Sequence, residues 1–264
     1  MVDEDGILIT NKDSYRRYNL SSFVSMDATK WLTAQLDVKY ANSRNTTAMG
    51  NSPAGNLWYL SSGGLLSMSP LGMGTPTKNS VEEYHFATPR YLIESSEPRL
   101  NKTKNMRALG RFILKPLKGW NITGEYTHIV NSASARNINK TFSVLYPVRM
   151  VVEEVNPENS YNMTNTSEEN NVINIFSDYS FKLADHNITV MSGFNQELYK
   201  YEMLYGQRKE LVNQDLPSLG QGIGEMKADD AFSELALRSF YYRVNYSYKD
   251  RYLFEANGRY DGSS

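Results

Sequence analysis

The sequence predicts an all-β fold: an antiparallel transmembrane β-barrel segment of about eight strands with long extracellular loops. Three observations support this prediction. Apolar and polar residues alternate along runs of roughly ten residues, as they do in strands with one apolar face. The runs come in pairs whose tight turns centre near residues 29, 118, 185 and 250, and much longer connections separate the pairs. The apolar face of the clearest runs carries no Asp, Glu, Lys or Arg, and a cation there would cost about 2–4 kcal/mol at mid-membrane.

Composition excludes several other classes of protein. The net charge of -1 gives no reason to expect a nucleic-acid partner. The absence of Cys excludes disulfides and thiolate chemistry, while 19 Tyr and 10 Phe favour strands. The sequence contains no run of 18 apolar residues, so it predicts no transmembrane helix. The first residues lack the features of a signal peptide, so we expect an internal fragment whose export signal lies upstream.

The first predicted hairpin follows a polar lead-in over residues 1–17. Its apolar face is continuous except at Ser22, and comprises Tyr18, Leu20, Val24, Met26, Leu32, Ala34, Leu36, Val38 and Tyr40. Asp37 and Lys39 fall on the opposite face. The connection from Asn42 to Asn105 has no charged residue between Arg44 and Lys78, and this uncharged part is interrupted by Pro53, Pro70 and Pro76, which excludes membrane-spanning strands and predicts a functional loop.

Three further hairpins complete the pattern. The second has runs over residues 106–115 and 120–130, and the third has runs over residues 173–181 and 188–197. We expect a polar connection from Asn131 to Asn171, with a short strand around residues 142–152, and another connection from about Lys200 to Glu234. The fourth hairpin, residues 240–261, alternates most strictly. Aromatic residues are also concentrated near the tight turns, as they are at a membrane interface: Trp31, Trp120, Tyr246, Tyr248 and Tyr252.

Three stretches carry a resemblance to a known family. The segment RVNYSYKDRYLFEANGRYDGSS, residues 243–264, resembles a recurrent barrel segment of SusC-like (SusC/RagA) TonB-dependent outer-membrane transporters. Residues 177–198 and 9–43 resemble other hairpins of the same family, in the family's order. The resemblance implies that residues 1–264 are part of a barrel of about 22 strands, with the plug domain and signal peptide outside this chain.

The resemblance also implies a function in the bacterial outer membrane. Members of the family import nutrients, usually an oligosaccharide or a peptide, with a SusD-like lipoprotein as lid and the TonB complex acting through the plug. The implied partners are therefore this lipoprotein, the TonB complex, outer-membrane lipid and the ligand. A passive porin or small eight-stranded barrel remains an alternative, and so does a soluble β-sandwich binding module, whose strands also alternate.

The candidate site residues fall into two groups, and the chemistry they predict is binding. Aromatic side chains in the long connections could stack on a sugar or contact a peptide, although packing between loops or against a lipoprotein would use the same residues: Trp58, Tyr59, Tyr84, Phe86, Tyr91 and Tyr205. Charged residues on the polar strand faces would line the lumen: Asp37, Lys39, Glu125, Arg243, Glu255 and Arg259. No catalytic motif, metal-ligand spacing or cofactor motif is present, so we expect no enzyme and no cofactor.

Overall fold

The computed structural model describes residues 1–6, 12–48, 77–79, 82–84, 89–146 and 151–264. Within these ranges one antiparallel sheet of nine strands contains most of the chain. The strands follow one another across the sheet in the order β1 Val2–Asp5, β2 Ser14–Thr29, β3 Leu32–Thr47, β6 Arg99–Leu117, β7 Trp120–Asn139, β10 Ser160–Leu183, β11 His186–Lys209, β12 Met226–Tyr248 and β13 Tyr252–Ser263. This meander of neighbouring strands confirms the predicted antiparallel architecture.

The smaller elements lie in the long connections at the other end of the strands from the tight turns. They are a hairpin of β4 Thr77–Asn79 and β5 Glu82–Tyr84, a helix α1 Pro89–Ser95, a hairpin of β8 Phe142–Tyr146 and β9 Val151–Val155, and a 3-10 helix Leu219–Gln221. Among the residues that the structure describes, no helix is both long enough and apolar enough to cross a membrane.

All four predicted tight turns are confirmed. They lie at residues 30–31, 118–119, 184–185 and 249–251. In the last, Lys249 and Asp250 have φ of 51° and 55°, and the N–H of Arg251 donates to the carbonyl of Tyr248 at 3.0 Å. Two consecutive left-handed residues are typical of the type I′ turn, whose twist matches that of the strands it joins.

The strands are longer than predicted, and this corrects two of the expected connections. The alternating runs of roughly ten residues underestimate the strands, because β10 and β11 have 24 residues each and the remaining long strands have 12 to 23. Residues 131–139 and 160–171, expected in a polar connection, continue β7 and β10. Residues 200–209 and 226–234 likewise belong to β11 and β12. Polar residues occur on both faces of these extensions, so the extensions lack the alternation that predicts a strand.

Three smaller expectations are also corrected. The polar lead-in contains β1 and the start of β2, which pair through Val2–Arg17 to Asp5–Ser14. The single strand expected around residues 142–152 is the hairpin of β8 and β9. The long connection after β3 begins at Ala48 and ends before Arg99, so it is shorter than the predicted Asn42–Asn105.

The buried apolar side chains lie mainly away from the large sheet. Among the described residues they are Ala48, Leu92, Ile93, Leu109, Val144, Leu145, Val155, Tyr161 and Leu211. All except Leu109 belong to the connections or to the strand ends beside them. The sheet itself exposes most of its large apolar residues, so the structure places its dry core at the loop end.

Candidate functional site

The six charged residues predicted to line a lumen share one face of the sheet. Directly paired residues of antiparallel strands point to the same side. Glu125 pairs with Asn174 on one side and with Arg111 on the other. Arg111 also pairs with Gln35. Gln35 lies two and four residues from Asp37 and Lys39 on the same strand, so these residues share its face. The register carries this face onward through β10 and β11 to Arg243, Glu255 and Arg259, because Arg243 pairs with Met191 and with Asn257. We call it the polar face.

A chain of hydrogen bonds across the polar face joins side chains from five strands, β3, β6, β7, β10 and β12. Arg111 is at its centre: its Nη1 donates to Gln35 Oε1 at 3.2 Å and its Nε to Glu125 Oε1 at 2.5 Å. The other carboxylate oxygen of Glu125 accepts from Asn174 Nδ2 at 3.3 Å. Tyr241 then donates its hydroxyl to Asn174 Oδ1 at 2.8 Å. Arg111, Asn174 and Tyr241 were not among the predicted site residues, although strict alternation places all three on this face.

The contact between Tyr241 and Asn174 depends on a glycine. Tyr241 lies on β12 and Asn174 on β10, so the ring must cross the intervening strand β11. It does so over Gly193, the register partner of Tyr241, where an added Cβ would be 2.3 Å from Tyr241 Cζ. A side chain at position 193 would therefore displace the ring. Covering a strand glycine with a cross-strand aromatic ring is a known way of fixing strand register.

The remaining predicted charges make shorter-range contacts. Asp37 has a side chain only 20% exposed, and its Oδ2 lies 3.3 Å from Arg107 Nη1 and 3.7 Å from Lys39 Nζ. Arg243 Nε lies 3.8 Å from Glu255 Oε1 near the last turn. Arg259 donates to Asp261 Oδ1 at 2.6 Å and to Ser239 Oγ at 2.9 Å. Charges of both signs thus alternate on the polar face and satisfy one another.

On the opposite face, the part of each of the eight long strands that lies next to a tight turn carries no Asp, Glu, Lys or Arg. This band, here called the belt, comprises the outward residues of 18–26, 32–40, 106–114, 120–130, 173–183, 186–194, 240–248 and 252–260. Leu36, Ile122, Val244 and Phe254 all belong to it. Each run has nine to eleven residues, about the length with which a tilted barrel strand crosses a bilayer. Many belt side chains are exposed, including Phe254 at 62% and Phe112 at 59%.

Aromatic rings border the belt at its turn end. His186 packs on Tyr248 with ring centroids 4.8 Å apart, and on Tyr246 at 5.7 Å. Tyr248 stacks on Tyr252 at 6.4 Å. Trp120 Nε1 donates to Ser177 Oγ at 2.8 Å. Rings with a polar tip in this position are typical of the girdle at a membrane interface.

Only two of the six predicted contact aromatics have described side chains. Tyr91, in α1, packs edge-on against Phe142 with centroids 6.1 Å apart, and its hydroxyl lies 3.4 Å from the carbonyl oxygen of Ser143. It therefore joins two loop segments. Tyr205 is half-buried within β11, between Thr164 and Asp229 on the polar face. Trp58, Tyr59 and Phe86, and the side chain of Tyr84, lie outside what the structure describes.

Ionic and polar contacts hold the loop end together. Lys140 Nζ lies 2.7 Å from Glu97 Oε1 and 2.8 Å from Asp215 Oδ1. Burial disfavours the charged form of Lys140, but hydrogen bonds with Asp215 and Glu97 outweigh burial and raise its pKa. Lys12 Nζ donates to the carbonyl oxygens of Glu94 and Ser96 at 2.5 Å each. Burial lowers the pKa of Lys12, with Glu97 opposing and Lys140 reinforcing the shift.

In the described ranges, no group of three or more His, Asp or Glu side chains is placed to hold a metal ion. Next to its turns the sheet has two chemically distinct faces, one apolar and one charged, as the wall of an outer-membrane barrel does.

Comparison with solved structures identifies the fold. The RagAB peptide importer in its open-open state superposes with a TM-score of 0.72 at 15% identity, over 96% of this chain and 28% of that chain. The chain carries the barrel fold of SusC-like TonB-dependent receptors. BauA, the ferric preacinetobactin receptor of Acinetobacter baumannii, matches with a TM-score of 0.52 at 11% identity, over 99% of this chain and 36% of that chain.

Sequence comparison agrees with the assignment of the fold. TonB-dependent receptor P3 of Formosa agariphila is 29% identical over 105 residues, which are 39% of this chain and 10% of that protein. No protein-family model matches the chain. The chain spans about a tenth of this relative and less than a third of the RagAB importer chain. The predicted SusC-like TonB-dependent receptor barrel is thereby confirmed, and the activity of a whole transporter is a matter for proposal.

Proposed function

We propose that the chain forms the wall and the loop end of an outer-membrane importer that takes up a nutrient, an oligosaccharide or a peptide. The belt on all eight long strands is the observation that carries this proposal, because it requires lipid on one face and leaves the charged face for a lumen. The similarity to the RagAB peptide importer supports the same reading. No catalytic role is proposed.

In this mechanism the polar face lines the barrel interior and the loops capture ligand. The alternating charges, from Asp37 and Arg107 to Glu255 and Arg243, keep the interior wetted without a strong field of one sign. A SusD-like lipoprotein would close over the loops, and the TonB complex would act on a plug that lies outside residues 1–264. The connection before Arg99 would cover the barrel mouth and meet the ligand or the lid.

Uptake by the full-length gene product tests the proposal. In cells that depend on this gene for growth on a peptide or oligosaccharide mixture, deletion of residues 52–75, which lie outside the described residues, should leave barrel assembly intact and reduce uptake. Removal of the TonB complex should abolish uptake as completely as removal of the gene.

The passive-porin alternative predicts a different result. Uptake that persists without the TonB complex, and that rises with ligand concentration without saturation, would support a porin. If deletion of the gene leaves growth on the peptide mixture and on the oligosaccharide mixture unchanged, the proposal of import is contradicted. Co-purification of a neighbouring lipoprotein with the wild-type protein tests the lid separately from transport.

A further inference from the structure

Five cations occupy neighbouring positions on the outer face of β2, β3, β6 and β7, just beyond the belt. This cationic rim comprises Arg16, Arg44, Lys102, Lys104 and Arg136. Arg16 pairs directly with Arg44, and Arg44 directly with Lys102. Lys104 and Arg136 lie on the same face, one on each side of that row. Lys104 is two residues from Lys102 along β6, and Arg136 is two residues from Ser134, the partner of Lys102 on β7. All five side chains are exposed.

The rim has almost no counter-charge of its own. Arg16 Nε lies 2.9 Å from Asp3 Oδ1. In the part of the chain that the structure describes, none of the other four cations forms an ion pair or a side-chain hydrogen bond. Like charges directly opposite one another destabilise a pair of strands. Three cations in one cross-strand row therefore indicate an anion supplied from outside the chain.

The other half of the sheet shows that this is a local feature. On β10, β11 and β12 the outer face beyond the belt carries Glu169, Lys200 and Glu234 in a single row. There Lys200 Nζ lies 2.7 Å from Glu234 Oε1. That region neutralises its own charge, whereas the rim does not.

The depth of the rim restricts what the anion is. Tyr18 and Tyr40 end the belt on β2 and β3, and Arg16 and Arg44 follow within four residues on the same face. Tyrosine at the end of an apolar band is typical of the membrane interface, so the cations lie at the level of lipid headgroups. Arginine and lysine are the side chains that proteins use to bind phosphate groups.

We propose that the cationic rim binds the phosphate groups of anionic lipid in the leaflet at the loop end of the barrel. The inference goes beyond import, because it requires the belt to lie in the membrane but does not depend on what the protein transports.

Lipid binding by the purified full-length protein tests the proposal. Phosphatidic acid is titrated into detergent micelles that contain the protein, and bound lipid is counted by native mass spectrometry, with phosphatidylcholine as the neutral comparison. The double variant Arg44→Gln/Lys102→Gln should bind phosphatidic acid about 30-fold more weakly, since one cation near an anionic surface is worth about fivefold. Raising the salt concentration should weaken wild-type binding and reduce the difference.

Matched variants on the same outer face supply the control. Lys200→Gln/Arg238→Gln removes two cations from the other half, the half-buried Lys200 and the exposed Arg238, and should leave the affinity unchanged. Equal losses in both double variants would show general charge attraction and overturn the proposal. If Arg44→Gln/Lys102→Gln fails to give the gel mobility of a folded barrel, Lys104→Gln/Arg136→Gln replaces it with the same expected direction.

Two further outcomes would also overturn the proposal. Displacement of the lipid by inorganic phosphate at a similar concentration would identify a site for free anions. Unchanged lipid affinity together with loss of a co-purifying lipoprotein would assign the rim to a protein partner.

Discussion

The belt and the loop end differ in the exposure of their apolar side chains. In the belt, residues such as Leu36 and Phe254 are 50% and 62% exposed and rely on their surroundings to cover them. At the loop end, Leu92 and Val144 are 2% and 0% exposed, so the chain covers them itself. We expect the two regions to meet different solvents, lipid at the belt and water at the loop end. Where lipid is the solvent an exposed apolar face is stable, and where water is the solvent the loops must build a small core.

The largest effect we expect separates these two kinds of burial. Leu92→Ala removes side-chain atoms from a dry core and should lower the local stability of the loop end by about 2–5 kcal/mol. Leu36→Ala should have a much smaller effect, because lipid chains fill the space that a cavity would otherwise occupy. Amide hydrogen exchange of α1 and β8 in the full-length protein measures the first change, and denaturant unfolding in lipid vesicles measures the second. Equal costs at both positions would contradict the comparison.

Introducing a charge tests which face of the sheet meets lipid. Val244→Arg places a cation in the belt and should destabilise the barrel by about 2–4 kcal/mol at mid-membrane depth. Asn245→Arg, one residue along the same strand and on the polar face, should be tolerated because that face meets water. Unfolding midpoints in vesicles, followed by gel mobility, report both variants. If Asn245→Arg is the more damaging of the two, the assignment of the faces is wrong.

The polar face can be tested where one ring crosses a strand. Gly193→Ala adds a methyl group within 2.3 Å of Tyr241 Cζ, so the ring must move and its hydrogen bond to Asn174 is lost. We expect a loss of about 1–3 kcal/mol, as for other overpacked sites. Gly124→Ala is the matched control, because an added Cβ there meets nothing within 4 Å.

A second substitution separates overpacking from the hydrogen bond. Tyr241→Phe removes only the hydroxyl and should cost about 0.5–1.5 kcal/mol. Denaturant unfolding in vesicles measures all three variants. Equal stability of the Gly193→Ala and Gly124→Ala variants would show that the ring is not held over β11.

The sequence predicts the belt well because one apolar and one polar face impose a period of two. Val244 and Ile122 could be assigned to one face without a structure, and so could Arg243 and Glu125 to the other. Beyond the belt the two faces do not differ in polarity, as Asn165 and Thr166 illustrate, so the sequence there has no alternation that predicts a strand. Backbone pairing continues the strands instead.

The loop core escaped prediction for another reason. Leu92 and Val144 are about fifty residues apart in sequence, in short elements with no period of their own. Only the strands between them bring α1 and β8 together, through contacts such as Tyr91 with Phe142. On the polar face, by contrast, Arg111 and Asn174 lie at positions that alternation assigns correctly. Their partners could not be named because the register between distant strands was unknown.

The smallest expected effect is a pH response confined to the loop end. The pKa of Lys140 is raised, so its ion pairs stabilise the fold at and below the usual lysine value of 10.5, and this contribution is lost as pH rises through the folded-state pKa. The pKa of Lys12 is lowered by burial, so its charged form is disfavoured in the fold, and stability is gained as pH rises through its folded-state pKa toward 10.5. The loop end should therefore be most stable near pH 10.5, with each lysine contributing less than about 1 kcal/mol because both are partly exposed.

Two variants separate the opposing contributions. Lys12→Met should remove the rise in stability below pH 10.5, and Lys140→Met should remove the fall above it, while the tight-turn end of the sheet changes in neither. Cleavage by a protease that is active in alkali, followed separately at residues 89–97 and at the turn 184–185, measures the two regions in one sample. Sensitivity that changes in parallel at both places would mean that the response belongs to the whole barrel. A change confined to the loop end would show that its small core opens independently of the sheet that supports it.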